Sequence, residues 1–506
     1  MLNVLSGAGA QGVTAVAALW SIPQILQAVG PAGYGTYSIA TALVGYFSIA
    51  DLGLSNATLQ RLARARASDD VGAVGRTIGT SLTLLGCVGV LLSLALFAAA
   101  PFTGDHLAGE AATSAQRGDV TSAVRWCALG AIPVFLRPVL DAIVSASERL
   151  TELYAATTFA NLVRTVGAVV AVWIWPRAVT PVIVLVAASA GQCLVMVPLA
   201  ARSVPHLRPG QLRVTRLEMR ELLRVSIPLW LSQGIANIAN QLDRFVVSGW
   251  FGLETLGQYA VAQDLATRLW IVPYIFSRAY FPRIARQLAH DSPREHMEML
   301  RGYGIASILS CTIPAVPLAI FGSDVLAAWI GRRDLGVGPV ILMWLAAGIV
   351  ANTTSFAAFS ILQVQVRGRA IAVASTVLLA VNVVGCALLP RFFGPTGVAI
   401  SWSVGQAAAS LAYHAGVWKG DRVSLLPDLA RCVVAMLVVG AGAEWFLSAM
   451  GPVTLDLGGS TLRRLSPMVA RLGAWCAIGG AVAALLFFGR ARREAAQLWA
   501  RRRRPA

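Results

Sequence analysis

The chain has 506 residues, of which 57% are apolar and only 13% are charged, and its formal net charge is +17. A soluble protein of this length would carry about twice that charged fraction, so the composition excludes a soluble globular protein. Nucleic acid is not an expected partner, because the arginines are spread along the edges of apolar runs. The sequence therefore predicts a membrane protein with many spans.

Apolar runs of about 20 residues follow one another along the chain, and each can cross a hydrocarbon core about 30 Å thick. Helix is the expected form, because lipid offers no hydrogen-bond partner to open backbone groups. The fold class predicted is an all-α polytopic membrane protein with about 14 transmembrane helices. The predicted spans are 4–26, 36–59, 77–101, 121–146, 152–175, 180–201, 222–249, 258–281, 301–321, 337–362, 370–390, 395–418, 428–448 and 469–488.

The basic residues give these helices a direction. One alternating set of loops, together with the C-terminal tail, holds 28 of the 41 basic residues, whereas the other set holds 9 and the spans hold 4. Because loops rich in Lys and Arg stay in the cytoplasm, both termini are predicted to be cytoplasmic. We expect a multi-pass protein of a bacterial plasma membrane, which is the inner membrane where the cell has two. The basic tail is expected to lie on anionic lipid headgroups.

One phrase of the sequence occurs twice. GPAGYGTYSIA begins at Gly30 and GLETLGQYAVA begins at Gly252, and the ungapped segments 30–67 and 252–289 share 12 identities in 38 positions. Six predicted spans separate the copies, so both copies cross the membrane in the same direction. This predicts two six-helix lobes related by a pseudo-two-fold axis along the membrane normal, followed by two extra helices.

The repeat and the loops divide the chain into five parts. The predicted parts are an N-terminal lobe, a basic cytoplasmic linker, a C-terminal lobe, two additional helices and a basic tail. Their boundaries are 1–205, 206–221, 222–418, 428–489 and 490–506.

The repeated segments also resemble a known family. GPAGYGTYSIA with the following ADLGLSNATLQRLA, and LDRFVVSGWFGLETLGQYAVA, are similar to helix segments of the Wzx-type polysaccharide flippases. These flippases are a branch of the multidrug/oligosaccharidyl-lipid/polysaccharide exporter superfamily. The resemblance implies two six-helix bundles around a central cavity, and transfer of an undecaprenyl-diphosphate-linked oligosaccharide from the cytoplasmic to the outer leaflet. It also makes the polysaccharide polymerase machinery a candidate partner.

A polar stripe in the seventh span is the clearest candidate for a substrate contact. Its members are spaced at i, i+4, i+7, i+8 and i+11, which places them on one helical face. Amide groups facing a wet cavity can bind sugar hydroxyls, and an arginine can bind a diphosphate through forked, charge-assisted hydrogen bonds. The alternative is hydrogen bonding between helices inside the lobe. The stripe consists of Gln233, Asn237, Asn240, Gln241 and Arg244.

Basic residues that line the cavity are implied by the resemblance to attract the diphosphate and anionic sugars. Those that fit by position are Arg61, Arg164, Arg244, Arg268 and Arg278. Arg61 could equally anchor the end of its helix at the membrane surface. Two pairs, Arg137 with Asp141 and Asp264 with Arg268, have i, i+4 spacing, and each pair either lines the path or is neutralised between helices.

Ion coupling by a proton or sodium is a second hypothesis, because an intramembrane carboxylate can exchange a bound cation. The candidate carboxylates are Asp51, Asp141, Asp243 and Asp264. The sequence has no GxxxxGK[ST] motif, so no Walker-type ATP site is expected. The seven cysteines form no CxxC motif, and neither a metal site nor a cofactor is expected.

Other functions of the same superfamily remain open at this stage. A cation-coupled multidrug antiporter would favour an acidic, aromatic cavity, whereas the spans here contain at least four arginines, which favours an anionic substrate. A lipid II flippase is not separated by these features. A membrane enzyme is not expected, because the predicted outer loops are short and contain no DxD, HExxH or nucleophile-elbow motif.

Overall fold

The computed structural model describes residues 2–50, 53–207, 209–271, 273–274, 277, 293–332, 336–365 and 367–418. Within these residues every regular element is helical, with fourteen α-helices and two short 3-10 turns. Seven helical segments of the described residues are long and apolar enough to cross a membrane, with Gly338–Val364 counted as one segment, or eight when one bent pair is counted as a span. The all-α polytopic fold is therefore confirmed. The two predicted C-terminal spans and the basic tail lie outside the described residues.

The first half of the chain forms six helices. They are α1 (Leu2–Ala50), α2 (Leu54–Ala67), α3 (Val71–Leu107), α4 (Ser114–Ala146), α5 (Leu150–Ile174) and α6 (Thr180–Ser203). A 3-10 turn at Pro209–Gln211 leads into the second half.

The second half begins with the longest helix. The helices are α7 (Arg216–Thr267), α8 (Pro293–Ile320), α9 (Gly322–Ile330), α10 (Gly338–Thr353), α11 (Ser355–Val364), α12 (Gly368–Leu388), α13 (Pro390–Phe393) and α14 (Pro395–Trp418). The second 3-10 turn, Arg268–Trp270, continues directly from α7.

Two elements differ from the prediction. The continuous span predicted over 36–59 is wrong, because α1 ends at Ala50 and α2 begins at Leu54, after Gly53 with a left-handed φ of 67°. The short helix α9 is not predicted at all. It follows the end of α8 at an angle of 84°. A nine-residue apolar run next to a span is too short to be recognised as a separate element by length.

The repeated phrase corresponds to a repeated backbone break. Gly30 divides α1 with φ 73° and ψ 175°, and Gly252 divides α7 with φ 82° and ψ 174°. A residue with a Cβ is disfavoured in this region, and glycine is not. Each helix consequently has two legs, 2–29 and 31–50 in α1, and 216–251 and 253–267 in α7.

Beside these breaks the two copies pack against each other reciprocally. A Cβ at Gly35 would overlap the carbonyl oxygen of Leu253, and a Cβ at Gly257 would overlap the carbonyl oxygen of Pro31. Gly35 and Gly257 are equivalent in the repeat, as are Pro31 and Leu253. The same contact is therefore made twice with the roles exchanged, as a two-fold axis requires. The exact boundaries of the lobes stay a prediction.

We expect Gly257→Ala to destabilise the protein, because the added methyl group meets a backbone carbonyl that cannot rotate away. Overpacking of this kind costs about 1–3 kcal/mol. The matched control is Gly191→Ala in α6, where nothing lies within 4 Å of the added carbon. The Tm of the detergent-purified variants measures the effect. Equal Tm values for the two alanine variants would contradict the reciprocal contact.

Candidate functional site

Arg244 is the centre of a hydrogen-bonded network between α1 and α7. Its guanidinium donates to Asp264 at 2.9 Å and to Gln263 at 2.6 Å, both on the second leg of α7. It also donates to the hydroxyl of Thr41 on α1 at 2.9 Å. The side chain is only 11% exposed. The arginine thus joins the two halves of the chain in a place from which most water is excluded.

Asp264 receives hydrogen bonds from both halves. One carboxylate oxygen accepts from Arg244, and the other accepts from the hydroxyl of Tyr34 at 2.6 Å. Tyr34 is fully buried in the core that the two halves share. A buried ion pair offsets its desolvation only when its polar atoms have further partners, and here each oxygen of Asp264 and each nitrogen of the guanidinium makes a hydrogen bond.

Asp243 lies behind Arg244 and is completely buried. Its carboxylate accepts from the hydroxyl of Tyr259 at 2.8 Å, from the backbone N–H of Arg244 at 3.0 Å and from the side-chain amide of Gln263. Gln263 therefore connects the two carboxylate systems, because it donates to Asp243 and accepts from Arg244. The whole network holds two aspartates and one arginine.

Further arginines lie near Tyr37, whose ring contacts the ring of Tyr34 at a centroid distance of 5.9 Å. Tyr37 is in electrostatic range of Arg164 on α5, of Arg268 at the end of α7, and of the Arg244–Asp264 pair. Three arginines from both halves of the chain are therefore within electrostatic range of one tyrosine. We call Arg164, Arg244, Arg268, Asp264 and Tyr37 the charged cluster.

Two arginines of the charged cluster have no acidic partner within ion-pair distance in the described part of the chain, in contrast to Arg244. Neither Arg164 nor Arg268 has a hydrogen-bond or ion-pair partner in the part of the chain that the structure describes. The Nε of Arg268 is buried and is without an acceptor among those residues. An unpaired cation in a water-poor region is costly unless an anion occupies the space beside it.

The residues of the predicted polar stripe do not share one environment. The side-chain oxygen of Asn240 accepts from Gln406 on α14 at 2.9 Å, and Gln406 accepts from Asn352 on α10 at 2.8 Å. Asn240 therefore makes the hydrogen bonds between helices that the alternative interpretation expected.

The other members of the stripe have different surroundings. Gln241 lies against Gly45 of α1, next to the interface that Arg244 bridges, and its side-chain oxygen is buried without a partner among the described residues. Asn237 is exposed. The side chain of Gln233 lies outside the described residues.

Arg61 lies outside the charged cluster. Its guanidinium binds Glu218 at the start of α7 through two hydrogen bonds of 2.5 and 2.7 Å, and Thr77 of α3 donates to the same carboxylate at 2.7 Å. Glu221 lies 3.8 Å from the guanidinium. Arg61 thus fastens α2 to the beginning of α7.

The remaining predicted residues are also separate. Asp141 pairs with Arg137 at 3.7 Å on α4, and Arg137 donates to Gln192 of α6 at 3.1 Å, which forms a polar group within the first half of the chain. Asp51 and Arg278 lie outside the described residues.

Four residues of the network are missing from the prediction, namely Tyr34, Thr41, Tyr259 and Gln263. A signal for two of them exists in the repeat. Thr41 and Gln263 are equivalent positions, 222 residues apart, and both bind the guanidinium of Arg244. A polar residue retained at equivalent positions in both copies would have pointed to the place where the copies meet.

Comparison with known proteins gives matches over most of the chain. The profile of the family described as polysaccharide biosynthesis protein matches residues 2–288. A protein of Shigella flexneri that is named for O-antigen transport is 25% identical over 406 residues, which are 77% of this chain and 91% of that protein.

Solved structures share the fold at low sequence identity. A structure of the lipid II flippase MurJ in an inward closed conformation aligns with a TM-score of 0.73 and 12% identity, covering 95% of this chain and 99% of that one. An inward-facing multidrug resistance transporter of the MATE family aligns with a TM-score of 0.64 and 15% identity, covering 80% and 94%. At these identities the likeness concerns the fold alone.

We expect Glu218→Gln to destabilise the protein, because it removes the negative charge beside the guanidinium of Arg61 and replaces one of the two oxygens that accept charge-assisted hydrogen bonds with an N–H donor. Such bonds are worth about 1.5–3 kcal/mol where they are buried, and Glu218 is buried. The matched control is Glu152→Gln, which removes the same charge beside Arg149 in a more exposed pair. Exposed pairs contribute about 0–1 kcal/mol. The Tm of the purified variants decides, and equal losses would contradict the structural role of Arg61.

Proposed function

This chain belongs to the family of polysaccharide biosynthesis proteins, and from that premise we propose that it flips lipid-linked oligosaccharides across the membrane. The cargo is an undecaprenyl-diphosphate-linked repeat unit, which moves from the cytoplasmic to the outer leaflet for surface or extracellular polysaccharide. The observation that carries the proposal is the charged cluster, in which arginines from both lobes converge and two have no partner among the described residues.

A diphosphate suits the charged cluster chemically. Its oxygens carry negative charge in a geometry that matches the planar fork of arginine, and such contacts are short and charge-assisted. Arg164 and Arg268 are the proposed first contacts, because their side chains are not engaged with acidic neighbours among the described residues. The exposed amide of Asn237 and the buried amide of Gln241 are proposed contacts for sugar hydroxyls. Arg61, Gln233, Asn240 and Arg278 keep their predicted roles without support from these contacts.

Arg244 has a different role in this proposal. It is bound to Asp264 and Thr41, so a diphosphate must compete with these residues for the guanidinium. Exchange of Asp264 for a phosphate oxygen releases the arginine from a network that includes Tyr34 of the other lobe. Cargo binding and separation of the lobes are thereby linked, which is what alternating access requires.

Ion coupling fits the same network. A proton or sodium ion on Asp264 weakens the pair with Arg244, and one on Asp243 weakens its contacts with Tyr259 and Gln263. We propose these two carboxylates as the coupling candidates that act on the lobe interface. Asp51 and Asp141 remain candidates by sequence only.

Arg268→Ala is expected to reduce delivery of the repeat unit to the outer leaflet at least tenfold, because the diphosphate loses a bidentate contact. Arg164→Ala should have the same effect. Arg268→Lys should give an intermediate rate of delivery, because lysine keeps the positive charge but cannot make the bidentate contact of a guanidinium. Protein level and membrane insertion should stay normal. The control is Arg502→Ala in the basic tail, which should transport normally. Equal transport by Arg268→Ala and Arg502→Ala would contradict the assignment.

A leaflet assay in cells without this protein tests the proposed function itself. Undecaprenyl-linked oligosaccharides are radiolabelled, and the fraction accessible from outside is measured. Complete repeat units should accumulate on the cytoplasmic side, with loss of surface polysaccharide. Normal delivery with increased sensitivity to organic cations would instead indicate a drug antiporter, and accumulation of lipid II would indicate a lipid II flippase.

A further inference from the structure

Helix α9 contacts the first lobe at a place that is separate from the charged cluster. It has nine residues and turns by 84° from the end of α8, so it runs nearly at right angles to that helix. Nε1 of Trp329 on α9 donates to the carbonyl oxygen of Leu19 on α1 at 2.9 Å. Nε2 of Gln27 on α1 donates to the carbonyl oxygen of Ile330 on α9, also at 2.9 Å. We call these two hydrogen bonds the clasp.

Each bond of the clasp is accepted by a backbone carbonyl that has no hydrogen-bond donor within its own helix. Leu19 lies four residues before Pro23 in α1, and proline has no N–H with which to complete that helical hydrogen bond. Ile330 is the last residue of α9, and carbonyls of the final helical turn lack a partner within the helix. Each helix therefore supplies the donor that the other lacks.

The clasp joins α1 to α9 and so lies on the interface between the two lobes, which we call the seam. Next to it is a cleft lined by residues of both lobes, including Leu26 and Pro31 of α1 and Gly257 and Val261 of α7. Ile330 of α9 lines the same cleft. Because Pro31 and Gly257 also form one half of the reciprocal glycine contact, the clasp and that contact close the same seam.

We propose that α9 is a latch that holds the two lobes together at their outer ends. Both bonds of the clasp join α9, on the second lobe, to the first leg of α1, so the seam cannot open on this side until both have broken. The latch rests on the proposed function, because it presupposes a transporter that opens outward, and on the predicted cytoplasmic position of the N-terminus. It regulates when the charged cluster becomes accessible from outside.

Loss of either bond should shift the protein toward the outward-open state. Each substitution removes the side-chain donor of one clasp bond and leaves the carbonyl acceptor in place. Because the bond exists only when the seam is closed, the substitution destabilises the closed state and not the open one. A hydrogen bond of average strength changes such an equilibrium about fivefold. The change should be visible as the rate at which a buried reporter on the seam becomes accessible.

The reporter is a cysteine introduced as Val261→Cys, since Val261 is 2% exposed and lines the cleft. Intact cells are treated with a membrane-impermeant maleimide, and the rate without the reporter is subtracted to correct for the native cysteines. Trp329→Phe, which keeps an aromatic ring but loses the N–H, should label about five times faster than the unmodified seam. Gln27→Leu should behave alike. The matched control is Trp173→Phe, at a position that is 61% exposed on α5.

The labelling result and the leaflet assay fail independently. Faster labelling in both clasp variants supports the latch whatever the cargo is, even if the leaflet assay disproves the flippase function. Labelling no faster than in Trp173→Phe would overturn the latch, and so would acceleration seen only when the reagent is applied from the cytoplasmic side. If Trp329→Phe does not accumulate as folded protein, Gln27→Leu alone decides, because Gln27 is exposed and its loss leaves no cavity.

Discussion

An arginine inside a membrane is costly unless an anion or other acceptors surround it, and Arg244 is paired by residues from two lobes. Its guanidinium binds Asp264 of its own lobe and Thr41 of the other lobe. Tyr34 donates a hydrogen bond to the second oxygen of Asp264. Because a charge removed from water is tolerated only with such partners, the network makes the approach of the lobes a condition of stability. The close contact of the two repeats at Gly35 and Gly257 has room only for glycine.

The internal repeat explains the scaffold but not the chemistry. Gly30 and Gly252 adopt the same backbone conformation, so the duplicated phrase places two equivalent breaks at one end of the bundle. The charges of the network are not duplicated. Arg244 is equivalent to Ile22 and Asp264 to Ala42. A symmetric frame thus brings the lobes together, and the asymmetric polar residues around Arg244 form the place that we propose for an anion.

The helical membrane fold could be predicted because the length of the apolar runs is a strong local signal, whereas the site depended on contacts between distant residues. Helical spacing places Asn240 and Gln241 on one broad face of α7. Because adjacent residues are rotated by about 100° about the helix axis, the two side chains can still contact different neighbouring helices. Only the packing of α14 and α1 shows that one bonds within its lobe and the other faces the partner lobe. Arg61 has no local signal of its role either, because its partner Glu218 lies 157 residues away.

The central claim is that Asp264 and the diphosphate compete for Arg244, and affinity for undecaprenyl diphosphate tests it most directly. The Kd is measured for the protein in lipid nanodiscs and compared with that of Asp264→Asn, which keeps the shape of the side chain but removes its charge. The account predicts that Asp264→Asn binds the lipid about tenfold more tightly, because Arg244 no longer has a charged competitor. An unchanged or weaker affinity would contradict it.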